Sequence, residues 1–215
     1  AGNRAHGEEN LADSLANSCN ASYSNIGLML DKEAYRKTAE ELLFNKKLPS
    51  VLPYSQSKFR ADKNTTDSEI MMTAIGQGKT QISPYHMTLI SAAIANGGTL
   101  MKPYLVDHTE NYTGTTVKKN VPEIYETLMT SEEAAKLKEY MEGVIDHGTG
   151  AALSGESYTV AGKTGTAEYS SDKEKSHSWF TGFTNVDNPE LVISAVVESA
   201  DNSGMSAVSV AKQVL

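Results

Sequence analysis

One cysteine, Cys19, is the only one in the 215 residues. That count excludes an internal disulfide and any multi-cysteine zinc site, and leaves the redox compartment undecided. Apolar runs are short as well: none reaches the ~18 residues of a membrane span, and the longest clear one is Leu191 to Val197. The opening stretch, Ala1-Gly2-Asn3-Arg4-Ala5-His6-Gly7, is polar, unlike an export signal, and lacks an initiator Met, so the sequence is expected to be a processed chain or a fragment. Basic charge is in deficit. Nineteen Lys and Arg against 27 Asp and Glu leave a formal charge of −8, which argues against a general phosphate-backbone binder, and no nucleic-acid partner is expected. The five His residues show no H-x3-H or other metal spacing. Dinucleotide signatures are missing too, so neither a metal nor a cofactor is expected. Internal repeats and low-complexity tracts are absent.

What remains is a globular composition, with 39% hydrophobic and 21% charged residues and ordinary Gly and Pro usage. Helical signals fill the first two thirds. Leu11 and Leu15 share a face, Ser18-Cys19-Asn20 interrupts it, and a second helical piece is expected over Ala21 to Leu30. Asp31 can cap a third helix whose buried stripe is Tyr35, Thr38, Ala39, Leu42 and Leu43. Pro49 to Ser68 is polar and aperiodic and reads as a long surface loop. Ser83-Pro84 starts a buried central helix that Gly97-Gly98 stops. Thr99 to Thr127, with Pro103, Gly114 and Pro122 between short β-prone pieces, reads as a hairpin or an irregular excursion. Thr130 and Glu133 form a capping box for the amphipathic helix of Leu137, Tyr140, Met141, Val144 and Ile145.

The last third is strand-rich. Tyr158 to Tyr169, Ser178 to Val186 and Leu191 to Ser199 are divided by turn residues, and Met205 to Leu215 is spaced for a terminal helix lying on that sheet. Short connections favour antiparallel neighbours. The expected class is α+β, with a mainly helical lobe over residues 1–157 and strands plus a helix over 158–215.

The sharpest chemical signal is Gly162-Lys163-Thr164-Gly165-Thr166. Thr164 and Thr166 share a strand face, where two hydroxyls can hold a carboxylate. The glycines would let a substrate backbone lie close. Two other readings compete. Lys163 could be a solvated edge-strand lysine that discourages aggregation. Gly-Lys-Thr also ends the Walker pattern, but Ser157 stands where that pattern needs Gly, and a strand follows instead of a helix. Ser18-Cys19-Asn20, read by itself, is an ordinary helix cap or turn. Paired with the lysine strand, its hydroxyl and carboxamide describe the second wall of an acyl-transfer cleft.

On these residues the chain resembles the transpeptidase domain of class B penicillin-binding proteins, whose motif set is Ser-x-x-Lys, Ser-x-Asn and Lys-Thr-Gly. Ser18-Cys19-Asn20 is similar to the second element and Lys163-Thr164-Gly165 to the third. Gly76-Gln77-Gly78 with the helix after it, Met141 to Gly150, and Ser178-Trp179-Phe180-Thr181-Gly182-Phe183 resemble further family landmarks in the family's order. The last of these would be core packing on any reading.

The resemblance implies a serine acyl-enzyme formed with peptidoglycan stem peptides, binding of β-lactams, association with other cell-wall synthesis proteins, and a parent at the extracytoplasmic face of the bacterial membrane, reached only through an anchor outside these residues. It implies that Ser18 relays a proton, Asn20 bonds the substrate amide and Lys163 supplies positive potential. Thr164 and Thr166 would grip the terminal carboxylate along the Gly165 strand, with the Thr166 N–H in the oxyanion hole. Cys19 would be an ordinary small residue.

The departure is the first element. The pairs Ser55/Lys58 and Ser170/Lys173 match Ser-x-x-Lys in text only, and both fall after Ser18 in polar segments. The expectation is therefore a chain with no nucleophile of its own, an incomplete sheet and no activity alone. A β-lactamase or β-lactam sensor, or a non-catalytic scaffold, shares the remaining motifs.

Overall fold

A computed structural model describes residues 5–170, 175–200 and 204–215. Three short helices come first: α1 (Leu11–Ala16), α2 (Asn20–Met29) and α3 (Lys32–Glu41). The side chain of Asn10 caps α1 and that of Asp31 caps α3, each accepting from a first-turn backbone N–H. The expected face of α1 is corrected: Ser14 and Ala16 are buried, whereas Leu11 is exposed.

Residues 49–68 are not simply a surface loop. They are irregular, yet Phe59 and Ala61 are buried with Ala39, Phe44 and Ile70, and Lys58 bridges Gln81. Phe59 meets Tyr35 edge to face with ring centroids 4.9 Å apart, so an aromatic anchor fixes the segment to the end of α3. A helix absent from the sequence reading follows, α4 (Asp67–Ala74), opened by a complete Thr66/Glu69 capping box.

The expected central helix is α5 (Pro84–Ala95), with Ser83 capping and Pro84 in its first turn. After it come β1 (Thr99–Met101), β2 (His108–Glu110), β3 (Thr116–Lys119) and β4 (Ile124–Thr127). β1 pairs with β4 and β2 with β3, making two small antiparallel ladders where a hairpin or an irregular excursion was expected. Then α6 (Ser131–Asp146) begins at the Thr130/Glu133 capping box.

Strands β5 (Val160–Glu168), β6 (Ser176–Thr184) and β7 (Val192–Val197) form an antiparallel sheet in the order β5-β6-β7, so β5 is an edge. The last helix is α7 (Ala207–Val214). The arrangement is α+β, as expected.

Strand alternation assigns the two faces of this sheet. Ala161 and Phe183 point at α5 and α6, where Ile94, Ala95 and Met141 complete the core. Phe180 and Val160 point the other way, against Ala207 and Ala211 of α7. Both Phe180 and Phe183 are fully buried, and truncating either to Ala would cost about 3–5 kcal/mol. Between α5 and the sheet lies a chain of hydroxyls: Ser91 Oγ is 2.6 Å from Thr181 Oγ1, which is 2.7 Å from Ser194 Oγ.

Gly162 and Gly165 also have a reason within the sheet itself. A Cβ at Gly162 would lie 2.6 Å from the Phe180 ring, and one at Gly165 would lie 3.2 Å from Trp179 Cβ. Aromatic side chains of β6 therefore occupy the space above both glycines, and Trp179 itself is only half-buried.

α5 is tied to the end of α3 by His86, which is 0% exposed and whose Nε2 lies 2.7 Å from the Leu42 carbonyl. The Nε2–H donates to that oxygen, leaving Nδ1 buried without a partner. Burial depresses the imidazole below its ordinary value of 6.5, outweighing the upward pull of the Leu42 bond. The folded chain therefore binds fewer protons at this site than the unfolded chain just below pH 6.5. We expect the unfolding free energy to fall as pH drops from about 6.5 toward 5, and His86→Gln to flatten that part of the profile. Urea titrations of both proteins at each pH check this, and equal slopes would remove His86 as the cause.

Candidate functional site

α1 ends in a turn in which Ser18 N–H bonds the Leu15 carbonyl and Cys19 N–H bonds the Ser14 carbonyl, at 3.1 and 2.9 Å. This is the Schellman pattern, whose turning residue must be left-handed and is usually Gly. Here it is Ser18, at φ +53°. A side chain in that conformation costs about 1–2 kcal/mol. In return the turn throws a hydroxyl out between two helices.

Facing it is the open edge of β5. Lys163 Nζ donates to Ser18 Oγ at 2.9 Å and to the carbonyl of Thr164 at 2.7 Å. The sequence-predicted Ser18, Lys163 and Thr164 thus form one bonded group across 145 positions. Lys163 is no solvated edge lysine. Burial lowers its ammonium from the ordinary 10.5 to about 8. Near neutral pH it is a cation that gives up its proton unusually easily, pressed against a serine hydroxyl.

Thr164 Oγ1 lies 2.5 Å from Thr149 Oγ1. Thr149 follows the C-terminus of α6, and its N–H bonds the Ala16 carbonyl at 3.0 Å, which locks the turn to α1 beside Ser18. Thr166, the other predicted hydroxyl, is exposed farther along the same face. Gly165 lies between them over Trp179. Asn20 is the first residue of α2 and exposed, and no hydrogen bond joins its side chain to the lysine group among the described residues.

Two arrangements are new with the structure: the contact made by Gln77 of the Gly76-Gln77-Gly78 landmark, and a cluster of possible ligands. Gln77 reaches β5, donating from Nε2 to the Thr166 carbonyl at 2.9 Å and accepting the Glu168 N–H at 3.2 Å. His6 and Glu9, ahead of α1, and Cys19, between α1 and α2, each offer a ligand atom within 4.8 Å of the others. Imidazole, carboxylate and thiol are all donors that zinc accepts. The expectation of no metal rested on His spacing and the single cysteine, and this trio is built from His-x2-Glu and a distant Cys. Burial pushes the Glu9 carboxyl up, but bonds from Asn17 and Cys19 and the nearness of His6 outweigh it and hold the group below its usual range. Asn17 Nδ2 donates to Glu9 Oε1 at 2.6 Å, so the carboxylate is already engaged by α1.

His177 stacks on Tyr169 with ring centroids 4.5 Å apart and accepts the Ser199 N–H. It braces the far end of β5 against β6 and is half-buried, not a surface residue. Of the two textual Ser-x-x-Lys pairs, Ser55 and Lys58 sit exposed in irregular chain. Lys173 lies outside the described residues.

The profile of the family described as "Penicillin binding protein transpeptidase domain" matches residues 2–215. Stage V sporulation protein D of Bacillus subtilis is 30% identical over 200 residues, covering 90% of this chain and 31% of that protein. The solved D,D-transpeptidase domain of a peptidoglycan glycosyltransferase from Eggerthella lenta superposes with a TM-score of 0.86 at 27% identity, over 98% of this chain and 52% of that one. Penicillin-binding protein A of Mycobacterium tuberculosis, solved as a ceftriaxone acyl-enzyme, gives 0.82 at 27% identity, over 95% and 47%. The chain thus spans about a third of that curated relative and about half of the solved chains.

Two measurements test this geometry. Ser18→Gly and Ser18→Ala both remove the hydroxyl, but only Gly relieves the left-handed backbone, so urea unfolding should find the Gly variant more stable by about 1 kcal/mol; equal stabilities would contradict the turn. For Lys163, the folded chain binds fewer protons than the unfolded chain between pH 8 and 10.5. Stability should rise with pH through that window, and below it the buried charge costs on the order of 3 kcal/mol. Lys163→Met should abolish the rise.

Proposed function

Because the chain belongs to the penicillin-binding protein transpeptidase family, of the class B kind, we propose that it supplies two walls of the acyl-transfer cleft of a peptidoglycan D,D-transpeptidase. The observation that carries this reading is the Lys163–Ser18 hydrogen bond, which joins the Ser-x-Asn turn to the Lys-Thr-Gly edge. Relatives named as peptidoglycan D,D-transpeptidases and β-lactam acyl-enzymes among the similar structures support it.

In the proposed mechanism a stem peptide lies along β5. Its terminal carboxylate is gripped by the hydroxyls of Thr164 and Thr166, the first held in place by Thr149. A serine attacks the peptide carbonyl, its hydroxyl proton passing to the lysine of its own Ser-x-x-Lys pair, and the negative charge that builds on the carbonyl oxygen is stabilised by the outward N–H of Thr166. The leaving amine needs a proton. Ser18 gives its own, taking another along its bond with Lys163, whose lowered affinity for protons suits a relay. Asn20, exposed one residue beyond Cys19, faces the substrate amide. A second stem's amine then resolves the ester into a cross-link, and β-lactams enter the same path as substrate mimics. The chemistry requires no metal or cofactor.

The attacking serine is assigned to a Ser-x-x-Lys helix outside this sequence, since Ser55 is exposed and irregular and no such pair opens a helix beside Ser18 among the described residues. The parent is placed at the extracytoplasmic face of the membrane, acting with other cell-wall synthesis proteins. No described helix is long and apolar enough to cross a membrane, so the anchor is likewise assigned elsewhere.

Fluorescent penicillin tests the reading. The chain alone should take up no stable label, and a parent carrying the Ser-x-x-Lys helix should be labelled at that serine, with Lys163→Ala or Ser18→Ala slowing acylation by at least ~100-fold. Labelling of this chain at any serine, or indifference of the parent to both substitutions, would overturn it. Rapid loss of the label would indicate a β-lactamase.

A further inference from the structure

β5 has a neighbour on one side only, so the backbone groups of every second residue point outward from the sheet. Thr166 and Glu168 bond Gln77 and not β6, which identifies Thr164, Thr166 and Glu168 as the outward set. Three of their groups are occupied. The Thr164 carbonyl accepts from Lys163, the Thr166 carbonyl from Gln77, and the Glu168 N–H donates to Gln77. The Thr166 N–H lies between these contacts and, by the same alternation, points outward from the sheet, away from β6.

Gln77 is delivered to this edge by its own loop. α4 ends in a second Schellman turn, with Gly76 N–H on the Thr73 carbonyl and Gln77 N–H on the Met72 carbonyl, at 3.0 and 2.9 Å. Gly76 and Gly78 both have left-handed backbones, at φ +75° and +76°, so the chain reverses immediately before and after the glutamine. A carboxamide carries a donor group and an acceptor group side by side, as the N–H and C=O of a neighbouring strand residue do. Gln77 therefore substitutes for one residue of a missing strand. Its two bonds fix the peptide planes on either side of Ala167, and through the first of them the orientation of Thr166.

We propose that Gln77 is a positioning residue for acyl transfer: by bonding the open edge of β5 at Thr166 and Glu168 it holds the Thr166 N–H in the direction the developing oxyanion requires. This rests on the cleft reading above, in which Thr166 supplies that donor. Gln77 touches no reacting atom. Its removal should act on the chemical step and leave ground-state binding, carried by the Thr164 and Thr166 hydroxyls, close to unchanged.

The test uses the whole protein that carries the nucleophile. Gln77→Met keeps the side chain's length but has no donor and no strong acceptor. Gln77→Glu keeps the acceptor for the Glu168 N–H and lacks the donor for the Thr166 carbonyl. Hydrogen–deuterium exchange resolved to single amides should show Glu168 at least tenfold faster in the Met variant and near wild type in the Glu variant. The acylation rate constant with a penicillin should fall about tenfold or more in both, with the dissociation constant of the initial complex within about twofold.

Unchanged Glu168 exchange in Gln77→Met overturns the clamp. Faster exchange with unchanged acylation overturns the positioning role. Should the Met variant fail to fold, the Glu variant decides alone, because it predicts slowed acylation with Glu168 still protected. A wild-type parent that takes up no penicillin defeats the cleft reading, and with it the role in acyl transfer, while the exchange data still report whether Gln77 holds the strand.

Discussion

The contact between Lys163 and Ser18 is the constraint around which the molecule is organised. An ammonium group loses much of its hydration when it is buried, and among the described residues two oxygens, one hydroxyl and one carbonyl, replace that water here. Such a group stays in place only if the surrounding packing leaves it nowhere else to go. α6 supplies that packing by lying along β5, and its C-terminal turn bonds the end of α1 through Thr149 and Ala16. The turn bearing Ser18 and the strand bearing Lys163 are thereby held by the same helix. Distance along the sequence matters little once one rigid element touches both.

Two helix ends of the same type present side chains to one strand edge. In the first, a serine takes the left-handed position that glycine would fill most cheaply, and its hydroxyl meets the lysine. In the second, glycine takes that position and the following residue, Gln77, makes the contact. The comparison shows where backbone strain is tolerated. It is accepted at the position whose side chain bonds Lys163 and avoided at the position whose side chain only needs to be delivered.

Legibility followed the range of the interaction. Asp31, Ser83-Pro84 and Thr130/Glu133 announce helices through contacts within one turn, and those helices are found where the sequence puts them. The Thr66/Glu69 box gave the same signal for α4, but it sits beside a polar segment with no apolar stripe and was passed over. The burial of Phe59 depends on Tyr35 and Phe44, which no local pattern announces. For the site, Lys163 and Ser18 were legible because each motif names a chemistry that needs the other. The bonding of Gln77 to β5 and the His6, Glu9 and Cys19 trio were not, since their partners lie in other elements and their spacing matches no local rule. Gly162 and Gly165 stand out as a residue type, but the crowding by Phe180 and Trp179 on the adjacent strand does not.

The exposed margin of β5 has one more consequence, for encounters between copies of the protein. A sheet edge recruits foreign strands when it offers a long, regular row of free donors and acceptors. Here the row is broken at three points by side chains of the same molecule, so an incoming strand would find no register in which more than a couple of bonds could form. A short peptide asks for little more than that. The same interruptions that shape this margin for a small guest therefore make it a poor template for polymerisation.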